Sequence, residues 1–130
     1  MKTYAFLFAL LTALLLPFSA QALGVGEVAV ESHLNEPLRA TVPLIGVEGL
    51  ALDSDLVVRL GSEADFERLG VSRDFILTTL KFELQGGETP QIRITTDKPV
   101  REPFLHFVLD IQSPKAQLLK ELTVLLDPAP

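Results

Sequence analysis

Asp53 and Asp55 stand two residues apart with Glu48 upstream. A carboxylate pair is the minimum for glycoside hydrolysis or a calcium loop. The remaining ligands of a calcium loop do not follow, so a structural turn is the plainer reading, with weak calcium binding and acid catalysis as the chemical alternatives. The two histidines, His33 and His106, have no cysteine to share a metal with. A zinc site needs three or four protein ligands, and both read as packed or surface imidazoles. Beyond Ser19, the serines Ser32, Ser54, Ser62, Ser72 and Ser113 lack the G-x-S-x-G surroundings of a nucleophile elbow. Gly24 and Gly26 lack the third glycine of a dinucleotide fingerprint. The sequence therefore predicts a non-enzyme with no catalytic residue, cofactor or metal ligand.

Recognition is better represented. Arg101-Glu102 sits between Pro99 and Pro103, immediately before Phe104 and a long apolar run. A charged pair held by prolines is either a recognition handle or a guard against edge-to-edge aggregation. Pro43 lies inside an alternating run, which predicts an edge or bulged strand there. Strand addition at an exposed edge is one way such a chain binds a partner. Pro43, Arg101, Glu102, Pro103 and Phe104 are the candidate surface.

Charge and composition narrow the partners. The chain has 130 residues and a net charge of -6. Residues Met1 to Ala22 read as a secretory signal: Lys2, an apolar run from Tyr4 to Leu16, Pro17, then Ala20-Gln21-Ala22, with cleavage expected between Ala22 and Leu23. The run is shorter than the roughly 18–20 residues a membrane span needs, and no later apolar stretch is longer. Taking 22 residues from 130 leaves 108, enough for one domain. Without Lys2 there are ten basic against seventeen acidic residues, which argues against nucleic acid. The absence of cysteine excludes disulfides and thiol chemistry, so a fold in an oxidising compartment stands on its core alone.

Period-two alternation supplies the elements that must hold these residues. Stripes run through Gly26, Val28 and Val30; Leu38 to Leu44; Leu56, Val58 and Leu60; Ile76, Leu80, Phe82 and Leu84; Ile92 and Ile94; Leu105 to Ile111; and Leu118, Leu122, Val124 and Leu126. This predicts an all-β, roughly seven-stranded antiparallel sandwich. Gly86-Gly87 is placed for a hairpin turn. One short helix is expected at Ser62 to Gly70, capped by Ser62, stopped by Gly70, and lying across one end of the sandwich with Phe66 and Leu69 docked.

Four segments carry a resemblance: Leu23-Gly24-Val25-Gly26-Glu27-Val28; Leu34 to Ala40; Pro99-Val100-Arg101-Glu102-Pro103-Phe104-Leu105; and Leu118 to Pro128, together with the helix at Ser62 to Gly70. The chain resembles the periplasmic N-terminal domain of the FimV/HubP/TspA family over essentially all of residues 23–130. The resemblance implies a periplasmic address and a part in cell-pole organisation, type IV pilus assembly and twitching motility in Gram-negative bacteria. In that family a LysM module, a transmembrane helix and an acidic cytoplasmic part follow. Since the sequence stops at Pro130, the chain is expected to lack those parts and to hold no integral membrane segment after cleavage.

Three functions are weighed on these grounds. The first is a non-catalytic periplasmic interaction domain whose partners are envelope or pilus-assembly proteins. The second is a module binding peptidoglycan, for which the composition offers little: there is no Trp, and the one Tyr is Tyr4 in the leader. The third, a hydrolase built on Asp53 and Asp55, has least behind it.

Overall fold

The alternation that marks the strands reappears as burial. In β3 (Pro37–Ile45), Leu38, Ala40, Val42 and Leu44 are buried while Arg39, Pro43 and Ile45 are exposed. Ile92 and Ile94 in β6 (Gln91–Pro99) and Leu122 and Val124 in β8 (Gln117–Leu125) follow the same rule. The structure, a computed structural model, describes residues 22–130. The expected leader up to Gln21 lies outside the described residues.

Two antiparallel sheets enclose this core. In the larger, β1 (Gly24–Val25) and β2 (Ala29–Val30) lie end to end along one side of β3, β6 takes the other side, and β5 (Lys81–Gln85) pairs β6. The smaller runs β4 (Val57–Leu60), β7 (Phe104–Gln112), β8. With β1 and β2 as two halves of one strand, this is the ABED and CFG division of a constant-type immunoglobulin domain. Leu105, Phe107, Leu109 and Ile111 of β7 face the larger sheet. The Phe107 ring lies 6.3 Å from that of Phe82 in β5, tilted by 48°.

Pro43 does not mark an edge, because β3 is paired on both sides. The bulge is real and lies on the neighbouring strand. Val25 pairs Leu44 and Ala29 pairs Thr41, four steps against three. Gly26 N–H donates to the Pro43 C=O at 2.9 Å, so the proline nitrogen also points toward this interrupted neighbour. Its missing N–H deprives no regular ladder partner.

The predicted stripe from Ile76 to Leu84 is split. Phe75–Thr79 forms a 3-10 turn, and β5 begins at Lys81. The Thr78 and Thr79 hydroxyls donate to the Phe75 and Ile76 carbonyls at 2.7 and 2.6 Å, a local bonding that competes with a ladder. Gly87, at φ 115°, sits in the β5–β6 turn as expected.

Two short helices, α1 (Leu52–Asp55) and α2 (Glu63–Leu69), lie on the connections that pass from one sheet to the other. Helix α2 has the predicted caps: Asp65 N–H donates to Ser62 Oγ, Ser62 N–H to Asp65 Oδ2, and Gly70 is left-handed. Its docking differs from expectation. Phe66 is buried, but Leu69 is exposed. Val71 N–H donates to Phe66 C=O and Gly70 N–H to Glu67 C=O, and this ending brings Val71, rather than Leu69, against the core beside Phe66. Helix α2 neighbours the middle of β7, where Gly61 lies on Val108, and so does not simply cap an end.

The chain enters this sandwich at one pole and leaves at the other. Leu23 borders Gly46 and the Ser113–Ala116 turn, whereas Asp127, just past β8, accepts the Leu34 N–H beside Val100.

Candidate functional site

The pole at which β8 ends is assembled from segments far apart in sequence. Asn35 N–H donates to Val100 C=O and Val100 N–H to Glu36 C=O, at 2.8 and 3.0 Å. Leu34 N–H reaches Asp127 C=O, and Leu126 N–H reaches Pro103 C=O, both at 2.8 Å. Asn35 adopts φ 69°, a left-handed turn conformation that asparagine accepts more readily than most residues. Glu36 Oε1 accepts the His33 N–H at 2.7 Å and lies 3.3 Å from His33 Nδ1. That backbone bond first, and the imidazole second, hold the Glu36 carboxyl below the usual carboxylate range. His33 is thus part of a turn.

Val100 is fully buried and anchors the segment between Pro99 and Pro103, leaving Arg101, Glu102, Pro103 and Phe104 exposed. Phe104 is 58% exposed and pairs in register with Leu125, itself 67% exposed. One step along, His106 lies opposite Thr123 and its Nε2 is 3.2 Å from Glu121 Oε2. Beside this strip is a groove of about 280 Å³. One wall is Glu102, Phe104 and His106; the other is Val71 and Asp74 from the link between α2 and the 3-10 turn, with Ile76 of the turn itself.

The remaining candidates lie elsewhere. Pro43 is exposed, but it pairs Gln91 near the far end of β3, so the structure does not bring it together with Arg101 to Phe104. Asp55 Oδ2 accepts the Ala51 N–H at 2.8 Å, a bond from the last residue of α1 back to the residue before its start. Among the described residues, no group of three or more His, Asp or Glu is placed to hold a metal ion. At the expected cleavage point, Ala22 is exposed and Leu23 packs against the core.

The flanking prolines draw attention to Arg101 to Phe104 in the sequence, but nothing there points to the opposite wall. Asp74 and Ile76 carry no signal, because only the fold brings them to β7. Leu125 did carry one: it is an apolar residue on the polar side of its stripe.

The outer face of β7 departs from a plain exposed face. Val108 and Asp110 are fully buried there, Val108 under Gly61 and Asp110 among side chains. Arg59 Nε, Gln117 Nε2 and Gln112 Nε2 donate to the Asp110 carboxylate at 3.0, 3.1 and 3.2 Å. Three donors satisfy it structurally, as a buried charge requires.

Comparison with known proteins gives three findings. A family model described as the FimV N-terminal domain, an Ig-like domain, matches residues 23–129. Two proteins named motility hub protein FimV, from two strains of Pseudomonas aeruginosa, are each 40% identical over 111 residues, covering 84% of this chain and 12% of their own length. A solved structure, the BIgI domain of beta protein from S. agalactiae bound to CEACAM1, is similar at a TM-score of 0.42 and 12% identity, covering 85% of this chain and 99% of that one.

Proposed function

The chain belongs to the FimV N-terminal domain family, and from that membership we propose that it is a non-catalytic periplasmic protein-interaction domain serving type IV pilus assembly and twitching motility. The name motility hub protein of its relatives supports the motility assignment. The chain spans 12% of those relatives, so the partner contacts assigned here are those of this one module.

One observation carries the interaction reading. The segments from Leu34 to Pro37, Val100 to Phe104 and Leu126 to Asp127 are tied together at one pole, and that pole presents Phe104 and Leu125 to solvent. Paired exposed apolar residues on a rigid sheet are the kind of anchor that protein interfaces use.

The experiment is made in a Gram-negative host that carries the gene. A photo-crosslinking residue at Phe104 is expected to capture a discrete envelope partner, and a Phe104→Asp/Leu125→Asp double variant is expected to lose both the crosslink and twitching motility. Normal motility and no crosslink would overturn the reading. Osmotic-shock fractionation tests the address, which fails if the protein stays with the cytoplasm. Co-sedimentation with purified sacculi at the level of the intact hub's wall-binding module would favour wall binding instead.

A further inference from the structure

Strand β7 is paired unevenly. Strand β8 accompanies its whole length, but β4 ends at Leu60, opposite Leu109, and the last bond on that side is Gly61 N–H to Val108 C=O at 2.8 Å. Backbone groups alternate sides along an antiparallel strand. Since Val108 faces the β4 side, the N–H and C=O groups of Phe104 and His106 face it too. The Pro103 C=O, bonded to Leu126, faces β8 as the alternation demands. Among the described residues, no hydrogen bond reaches the Phe104 or His106 backbone from the β4 side.

The line along which β4 would continue is the groove between β7 and the Val71–Leu77 wall. Its rim carries two acids, Asp74 and Glu102, while the one basic residue of the wall, Arg73, is engaged at the inner end, where its Nε donates to the Gly61 C=O at 3.1 Å and its guanidinium lies over the Phe66 ring. Building on the interaction reading above, we propose that this slot receives an extended segment of a partner protein, an apolar residue flanked by Lys or Arg, which adds a strand against Phe104 to His106. Backbone bonds to the His106 and Phe104 groups supply affinity, Phe104 and Ile76 take the apolar side chain, and the rim acids select the basic neighbours. A second copy of this chain is a poor occupant, because its net charge of -6 opposes an acidic rim. The outer edge of β8 is the rival site. There a wider cleft of about 500 Å³ is lined by Lys120 and Glu121 on one side and Val25 to Val28 on the other, and such mixed charge guards an edge.

The test uses the purified protein and four labelled peptides: Lys-Val-Lys-Val-Lys, Glu-Val-Glu-Val-Glu, and two forms of the basic peptide N-methylated at alternate residues, one in each phase. The basic peptide is expected to bind at least about tenfold tighter than the acidic one, and one methylation phase to cost about tenfold or more while the other costs little. On saturation the His106 amide should exchange at least about tenfold more slowly. A Glu102→Lys/Asp74→Lys variant, altered only at exposed positions, should reverse the peptide preference. Equal loss in both methylation phases, no charge preference, or protection at Glu121 and Thr123 in place of His106 would overturn the slot. A partner crosslinked at Phe104 with His106 still unprotected would overturn the slot and keep the interaction reading; a protected slot without any cellular partner would do the reverse.

Discussion

Arg59 and Asp110 are register partners on adjacent strands, and their side chains meet at 3.0 Å with very different exposure, 61% for the arginine and 1% for the aspartate. The pair therefore responds asymmetrically to mutation. Arg59→Met leaves a buried carboxylate with two amide donors and should cost about 2–3 kcal/mol, whereas Asp110→Leu leaves an arginine that water can solvate and should cost about 1 kcal/mol. Urea unfolding of the two single variants checks the order; equal losses would refute it.

A side chain at Gly61 would be crowded by its neighbours. A methyl group there would come within 3.1 Å of Val108 Cγ1 and 3.3 Å of Asp65 Cβ. Gly61→Ala should therefore cost about 1–3 kcal/mol through overpacking. Calorimetry is expected to show this loss, while Gly49→Ala, in open space but at φ 79°, reports backbone strain alone.

Helix α2 separates a packed residue from a merely apolar one. Phe66→Ala should cost about 3–5 kcal/mol and Ser62→Ala about 1 kcal/mol, while Leu69→Lys should stay within about 0.5 kcal/mol. Thermal melts of the three variants give the comparison.

Two carboxylates make stability depend on acid. The backbone bond from His33 lowers Glu36 below its ordinary 4.5, and that from Ser62 lowers Asp65 below its ordinary 3.8. A lowered pKa in the fold means that the stabilisation is complete above these ordinary values and is lost as pH falls through the folded ones. Urea midpoints should thus fall on acidification below about pH 4.5, and Glu36→Gln and Asp65→Asn should flatten that fall. Parallel acid profiles for variants and parent would contradict it.

Phe104 and Leu125 are free of core duty. Phe104→Ser and Leu125→Ser should each change stability by less than about 1 kcal/mol, against about 3–5 kcal/mol for Phe107→Ala, three residues away on the buried face. Denaturant titration establishes this, and with it the fitness of Phe104 as a probe of binding.

What the sequence revealed depended on range. Alternation exposed the inward residues of β3, β6, β7 and β8 because burial on one face imposes a period of two. The α2 caps were legible since a cap is a contact across three residues. Ile76 and Leu80 misled because a 3-10 turn and a strand end can share spaced apolar residues, and Pro43 misled because the neighbouring strand, rather than β3, yields to the missing N–H. The Arg59–Asp110 pair and the wall at Asp74 and Ile76 left no local trace, for they arise from strand register and from the point where β4 stops.

The opposite placement of Leu23 and Asp127 has a mechanical consequence. Tension between the two ends runs nearly parallel to β8, so the nine-residue ladder with β7 is loaded in shear and its bonds resist together instead of opening one at a time. The Leu34–Asp127 and Leu126–Pro103 bonds meet that load first at the exit pole. At the entry pole the same load passes through the two-residue pairings of β1 and β2 with β3, so the surface around Phe104 lies at the more strongly tied end.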